Sequence, residues 1–176
     1  MKALRFLFAV LLALAIAGCG FQLRGTPNWP VELSPIRVEG LESRDPLYLL
    51  LAQSLRSAGL EVLPPDSDGE GSELRVLDLN DRRRVLSVTG EVEVAEFELV
   101  RSLETELRLP GAPEPVPLGR LQARQAYTFD AASVLSEEET EEELRRVMNR
   151  DLVRLLQFRV RAATAAGKGS QSRGGT

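Results

Sequence analysis

The sequence predicts an α+β fold: a two-layer sandwich with two amphipathic helices packed on one face of a mostly antiparallel sheet of about four strands. Three observations carry this. Apolar and polar residues alternate with period two from Ala95 to Leu109 and again from Leu121 to Phe129, the mark of strands with one buried and one wet face. Apolar residues recur at helical spacing at Leu47, Leu50, Leu51, Leu55 and Ala58, and at Leu144, Val147, Met148, Leu152, Leu155 and Leu156. The segments run strand, helix, several strands, helix, with no internal repeat. Hydrophobic content of 43% and charged content of 27% suit one folded globular domain.

Each element has its own local cause. Residues 19–34 hold Gly25, Pro27, Asn28 and Pro30 around Trp29 and read as an extended tether. Trp29 suits either a membrane interface or a cap on the sheet. A single domain is expected over 35–166. Pro35 to Glu39 alternates and stops at Gly40, a first strand. Asp45 followed by Pro46 is a helix start: an N-cap acceptor, then proline where its missing N–H does no harm. Gly59 is the matching stop. Leu60 to Leu63 is apolar and short enough to begin or extend a strand. Pro64 to Ser72 is an acidic loop rich in proline and glycine. Leu74–Leu79 and Arg84–Val88 read as two strands, and Thr89 with Gly90 as a tight turn. The long alternation follows, and Arg101 breaks its pattern by standing on the apolar face. Four prolines between Pro110 and Pro117 make the next turn. Ser136 with Glu139 three residues on is a capping box. The glutamates between 137 and 143 suit the positive end of a helix dipole, and Arg154, Arg159 and Arg161 its negative end. Residues 167–176 are Gly/Ser-rich and read as a disordered tail.

The first residues carry an address. Lys2 and Arg5 precede an apolar run from Phe6 to Ala17, then Gly18 and Cys19. A basic start, a short apolar stretch and small residues at a cut make a secretory signal peptide over 1–18. The run falls short of the roughly 20 residues that a spanning helix needs. Removing 1–18 takes away two cations and no acid, so the mature chain is more negative than the precursor's −4. That balance argues against nucleic acid as a partner.

Composition also narrows the chemistry. The chain has no histidine and one cysteine. Histidine triads, histidine metal sites and a disulfide within one chain are therefore excluded. No Gly-rich phosphate loop follows a strand. No enzyme activity, catalytic residue, metal site or cofactor is expected. A carboxylate-dependent hydrolase would need a carboxylate pair that no strand end convincingly offers. The cations are almost all arginine, the lysines being Lys2 and Lys168 alone.

Ile16, Ala17, Gly18 and Cys19 resemble the lipobox of bacterial lipoproteins. Cys19, Gly20, Phe21, Gln22, Leu23, Arg24 and Gly25 resemble the mature start of the LPS-assembly lipoprotein LptE family. So do Leu74-Arg-Val76, Thr89-Gly90, Ala95-Glu96-Phe97 and the aromatic strand from Tyr127 to Asp130. The resemblance implies a diacylglycerol and an N-acyl lipid on Cys19. It implies anchorage at the periplasmic face of the outer membrane, in its inner leaflet; glycine rather than aspartate after the cysteine favours that sorting. It further implies one-to-one partnership with the LptD β-barrel, which such a domain plugs and helps to assemble, and a non-catalytic part in delivering lipopolysaccharide to the cell surface. The alternative is a lipoprotein auxiliary to another periplasmic lipid-transport system.

Relatives carry a basic residue just before the strand turn and another just before the last helix. This chain has Val88 and the surroundings of Ser136 there. The nearest substitutes expected for lipopolysaccharide contact are Arg82, Arg83 and Arg84, with Arg101, Arg120 and Arg124. Arginine presents a planar fork to phosphate or carboxylate. Each has a plainer reading too: a solvated start of a strand for the run, a neighbouring glutamate or a snorkelling tip for Arg101, and a wet sheet face for Arg120 and Arg124.

Overall fold

The computed structural model describes residues 29–65, 67, 69–88, 94–130 and 134–171. The signal peptide, Cys19 and the Thr89-Gly90 turn lie outside the described residues. The chain runs through a 3-10 turn at Val31–Leu33, strand β1 (Ile36–Glu39), helix α1 (Pro46–Ser57), β2 (Val62–Leu63), β3 (Ser72–Val88), β4 (Val94–Arg108), β5 (Val116–Asp130) and helix α2 (Val134–Gln171).

Helix α1 starts as its sequence dictates. Asp45 accepts a hydrogen bond from the Leu47 N–H at 2.7 Å, with Pro46 in the first turn. It ends where Gly59 takes φ 86° and the Leu60 N–H returns to the Leu55 carbonyl at 3.2 Å. Its buried face is Leu47, Tyr48, Leu51, Ala52 and Leu55. This face meets Leu33, Ile36 and Val38, then Leu74, Leu103 and Leu107 of the sheet and Met148, Leu152 and Leu156 of α2, in one contiguous core.

The sheet has five strands in the order β2-β1-β3-β4-β5, one more than the alternation suggests. The extra strand is the two-residue β2, from the ambiguous Leu60–Leu63 stretch. A helix between β1 and β2 returns the chain to the same end of the sheet, so the two run parallel. β1 is parallel to β3 as well, and β3, β4 and β5 are antiparallel. The sheet is therefore mixed.

Leu74–Leu79 and Arg84–Val88 are not two strands. They are the ends of one strand, β3, whose register against β4 shifts between Val76 and Asp78 and again between Val85 and Ser87. The residues set aside by these bulges, Leu77 and Leu86, are exposed. Asn80 and Asp81 look like a break in composition, but pairing with Ser102 and Arg101 holds them in the ladder.

Both ends of the expected domain also move. Trp29 and Leu33 are 2% and 0% exposed, so the stretch from Trp29 to Ser34 belongs to the folded body and not to the tether. The indole N–H donates to the Ser54 hydroxyl at 3.0 Å. At the other end α2 continues to Gln171, through residues that composition assigns to the tail.

Candidate functional site: the arginines of the sheet

Strand pairing sorts the six candidate arginines onto two faces. Arg83 and Arg101 share the helix side. Arg82, Arg84, Arg120 and Arg124 share the outer side, which no element of the described chain covers.

On the helix side the cations are engaged. Glu141 of α2 is a hub. It accepts from the Tyr127 hydroxyl at 2.6 Å, from Arg83 at 3.3 Å and from Arg145 at 2.7 Å. The Arg83 guanidinium also lies 4.7 Å from the centre of the Phe97 ring, a cation–π contact. Asp81 faces Arg101 at 3.5 Å and Arg145 at 3.7 Å. The Arg101 side chain is only 10% exposed, and its partner is this aspartate rather than a glutamate. Burial first, and then the bond to Glu141, push the Tyr127 hydroxyl up to about 12. The acidic run at 137–143 is thus more than a complement to the helix dipole. One sequence signal for this is that Glu141 stands four residues before Arg145, a helical ion-pair spacing.

The outer face reads as rows across β3, β4 and β5. Asp78, Glu104 and Arg120 form one row; Asn80, Ser102 and Gln122 the next; then Arg82, Val100 and Arg124; then Arg84, Glu98 and Ala126. Arg120 is held by Glu104 at 2.8 Å and faces Asp78 at 3.7 Å. The Glu104 hydrogen bond keeps its guanidinium more firmly protonated than usual. Arg84 is paired with Glu98. Gln122 donates to Ser102 at 3.3 Å.

The Arg82–Val100–Arg124 row differs. It holds two cations and no acid. Among the described residues Arg82 has no ion-pair partner, and Arg124 donates only to the neutral Gln122 amide, at 3.0 Å. Two strand spacings put the two arginine positions roughly 10 Å apart. Val100 between them is 6% exposed although no helix lies over it; the methylene stems on either side are placed to shield it. Two guanidinium forks on one row with no acid between them are able to hold an anion.

A groove of about 420 Å³ runs between the helices, with Trp29, Ser54, Gln157, Arg150 and Arg154 in its lining. Ser54 accepts from both the Trp29 indole and the Gln157 amide. Among the described residues no set of three His, Cys, Asp or Glu side chains is placed to hold a metal, and no helix is long and apolar enough to cross a membrane.

This sandwich is shared with solved lipoproteins. A rare lipoprotein B from Shewanella oneidensis aligns with a TM-score of 0.63 and 24% identity, over 76% of this chain and 98% of that one. A minor lipoprotein from Acinetobacter baumannii aligns with a TM-score of 0.61 and 23% identity, over 77% and 96%. At that identity the likeness speaks for the fold. The family model for LptE, lipopolysaccharide-assembly, matches residues 32–160, and the chain belongs to that family. An LPS-assembly lipoprotein LptE from Pectobacterium atrosepticum is 28% identical over 156 residues, covering 85% of this chain and 84% of its own. One from Photorhabdus laumondii is also 28% identical over 156 residues, with 85% of each chain covered.

Proposed function

We propose that this chain is a non-catalytic outer-membrane lipoprotein that works in lipopolysaccharide assembly. Its signal peptide, residues 1–18, is removed. A diacylglycerol and an N-acyl group on Cys19 hold it in the inner leaflet at the periplasmic face, and a tether ending before Trp29 leads to the domain. It joins the LptD β-barrel one-to-one, helps the barrel assemble and plugs it while lipopolysaccharide passes to the cell surface. Its family membership carries this reading. A charged, uncovered sheet face suits a polar barrel interior.

Within that role Arg82 and Arg124 make the direct contact with phosphate or acidic sugar on lipopolysaccharide. The single supporting observation is that their row holds two cations and no carboxylate. Arg83, Arg84, Arg101 and Arg120 are engaged by Glu141, Glu98, Asp81 and Glu104 and act as scaffold.

The test is a detergent pull-down of the lipidated protein from its own outer membrane. A stoichiometric large β-barrel is the expected partner; inner-membrane transporter subunits in its place would refute the assignment. With the same preparation, R82Q/R124Q should weaken lipopolysaccharide binding roughly tenfold, while R84Q and R120Q leave it within about twofold. Equal losses in all three would remove the special standing of this row.

A further inference from the structure

The three long strands leave two open borders. β1 covers β3 only from Ser72 to Arg75, so β3 from Val76 to Val88 has no strand on its far side among the described residues. β5 ends the sheet, and its far side is unpaired along its whole length among the described residues. An uncovered strand border is a template for another chain, and proteins blunt such borders with bulges, proline or inward-pointing charge.

The two borders are treated differently. β3 carries two bulges and points Asp81 toward the helix side, where Arg101 and Arg145 meet it. β5 is guarded only at its start, by Pro117, by the register shift opposite Thr105 and Glu106, and by Gly119 at φ 74°. From Arg120 to Thr128 its pairing with β4 is regular, with no proline and no bulge. Its charge has one sign: no acid occurs from Val116 to Thr128, and Arg120 and Arg124 project on the outer face.

We infer that the Arg120–Thr128 border of β5 accepts an added strand from a partner chain, an extended segment with carboxylates at alternate positions. Main-chain hydrogen bonds to the unpaired groups of β5 supply the affinity, and alternation supplies the selectivity. The carboxylates fall on the outer face beside Arg124, which no acid of the described chain neutralises. A second copy of this chain is disfavoured in two of its central registers. Antiparallel self-pairing centred on Arg124 sets that arginine against its own copy, and centring on Gln122 sets Arg120 against Arg124. Like charges directly opposite destabilise a sheet. This inference needs no identification of the barrel partner and goes beyond the role proposed above.

The experiment titrates the full lipidated protein in detergent against three fluorescent peptides. The first alternates valine and glutamate. The second is the same peptide with alternate backbone nitrogens methylated. The third has lysine for glutamate. Saturable binding of the first is expected, weaker by roughly tenfold or more for each of the other two and for R124E with the first peptide. Hydrogen exchange of the complex should show alternate amides of 120–128 newly protected. R124E lies on an exposed face and its fold is checked by its melting curve. Equal binding of the methylated peptide would reduce the effect to charge and overturn strand addition. So would failure of the first peptide to bind. A concentration-dependent dimer protecting the same amides would make a second copy the occupant and overturn the inference as well.

Discussion

Gly40 and Gly59 share a backbone conformation and differ in surroundings. Both have positive φ, 82° and 86°. A methyl on Gly40 would stand 2.1 Å from the Val76 carbonyl oxygen, whereas one on Gly59 meets nothing within 4 Å. Gly59→Ala therefore carries only the left-handed strain, about 1 kcal/mol. Gly40→Ala must also push β3 away from β1 and should lose at least about 3 kcal/mol. Urea denaturation of the two variants checks the order; equal losses would contradict it. Tyr127 offers a second test at this scale. The chain has two tyrosines, and ultraviolet titration should show Tyr127 ionising only near its raised value of about 12, against an ordinary 10. A raised phenol pKa means that its contribution to stability is complete below the unfolded value and fades as pH climbs from 10 through 12. Tyr127→Phe should remove the late step from the absorbance titration and flatten that part of the stability curve.

Among the elements, α2 is held in two ways along its length. Met148, Leu152, Leu156 and Val160 are almost wholly buried, while the turns before them are fixed by Glu141, Arg145 and their strand partners. Leu152→Ala should cost about 2–5 kcal/mol of global stability. Glu141→Gln should cost about 1–2 kcal/mol and act locally: amide exchange over 138–145 rises while 150–160 stays protected. Uniform exchange along the helix would mean that no separate clamp exists. Period and punctuation make most of these elements legible beforehand. The α1 cap, the β4 and β5 alternations and the core of the α2 stripe all follow from residues within one turn or one strand of each other. What lies outside local pattern is decided by partners distant in sequence. β3 is continuous because β4 supplies ladder partners to Asn80 and Asp81. Trp29 is buried because Ser54 waits 25 residues away. The outer-face arginines are separable only by register, since which of them has an acid beside it is a property of the neighbouring strand.

The molecule as a whole is a firm base with a projecting arm. β1, β2 and α1 gather at one end, where the fully buried side chains of the core concentrate. β3, β4 and β5 run on beyond β1, covered on one face by the clamped part of α2 and bare on the other. Exposed Val85 and Leu86 stand toward the far end. Native-state hydrogen exchange should thus divide the sheet, with 74–76 and 103–107 opening only in global unfolding and 83–87 and 97–99 opening at lower free energy. A single cooperative unit across all these amides would refute that division.

The placement of β1 has a mechanical consequence. The strand lies between two parallel neighbours, and the chain enters it from the N-terminal side. A pull on that terminus first loads the buried Trp29 and Leu33; once they give way it drags β1 along its own axis, so the hydrogen bonds on both flanks are loaded together and resist in shear, rather than opening one after another like a zip. Tension transmitted from a tethered N-terminus would meet the strongest geometry this sheet can offer. Tension at the outer strand β5, peeled sideways, would meet the weakest.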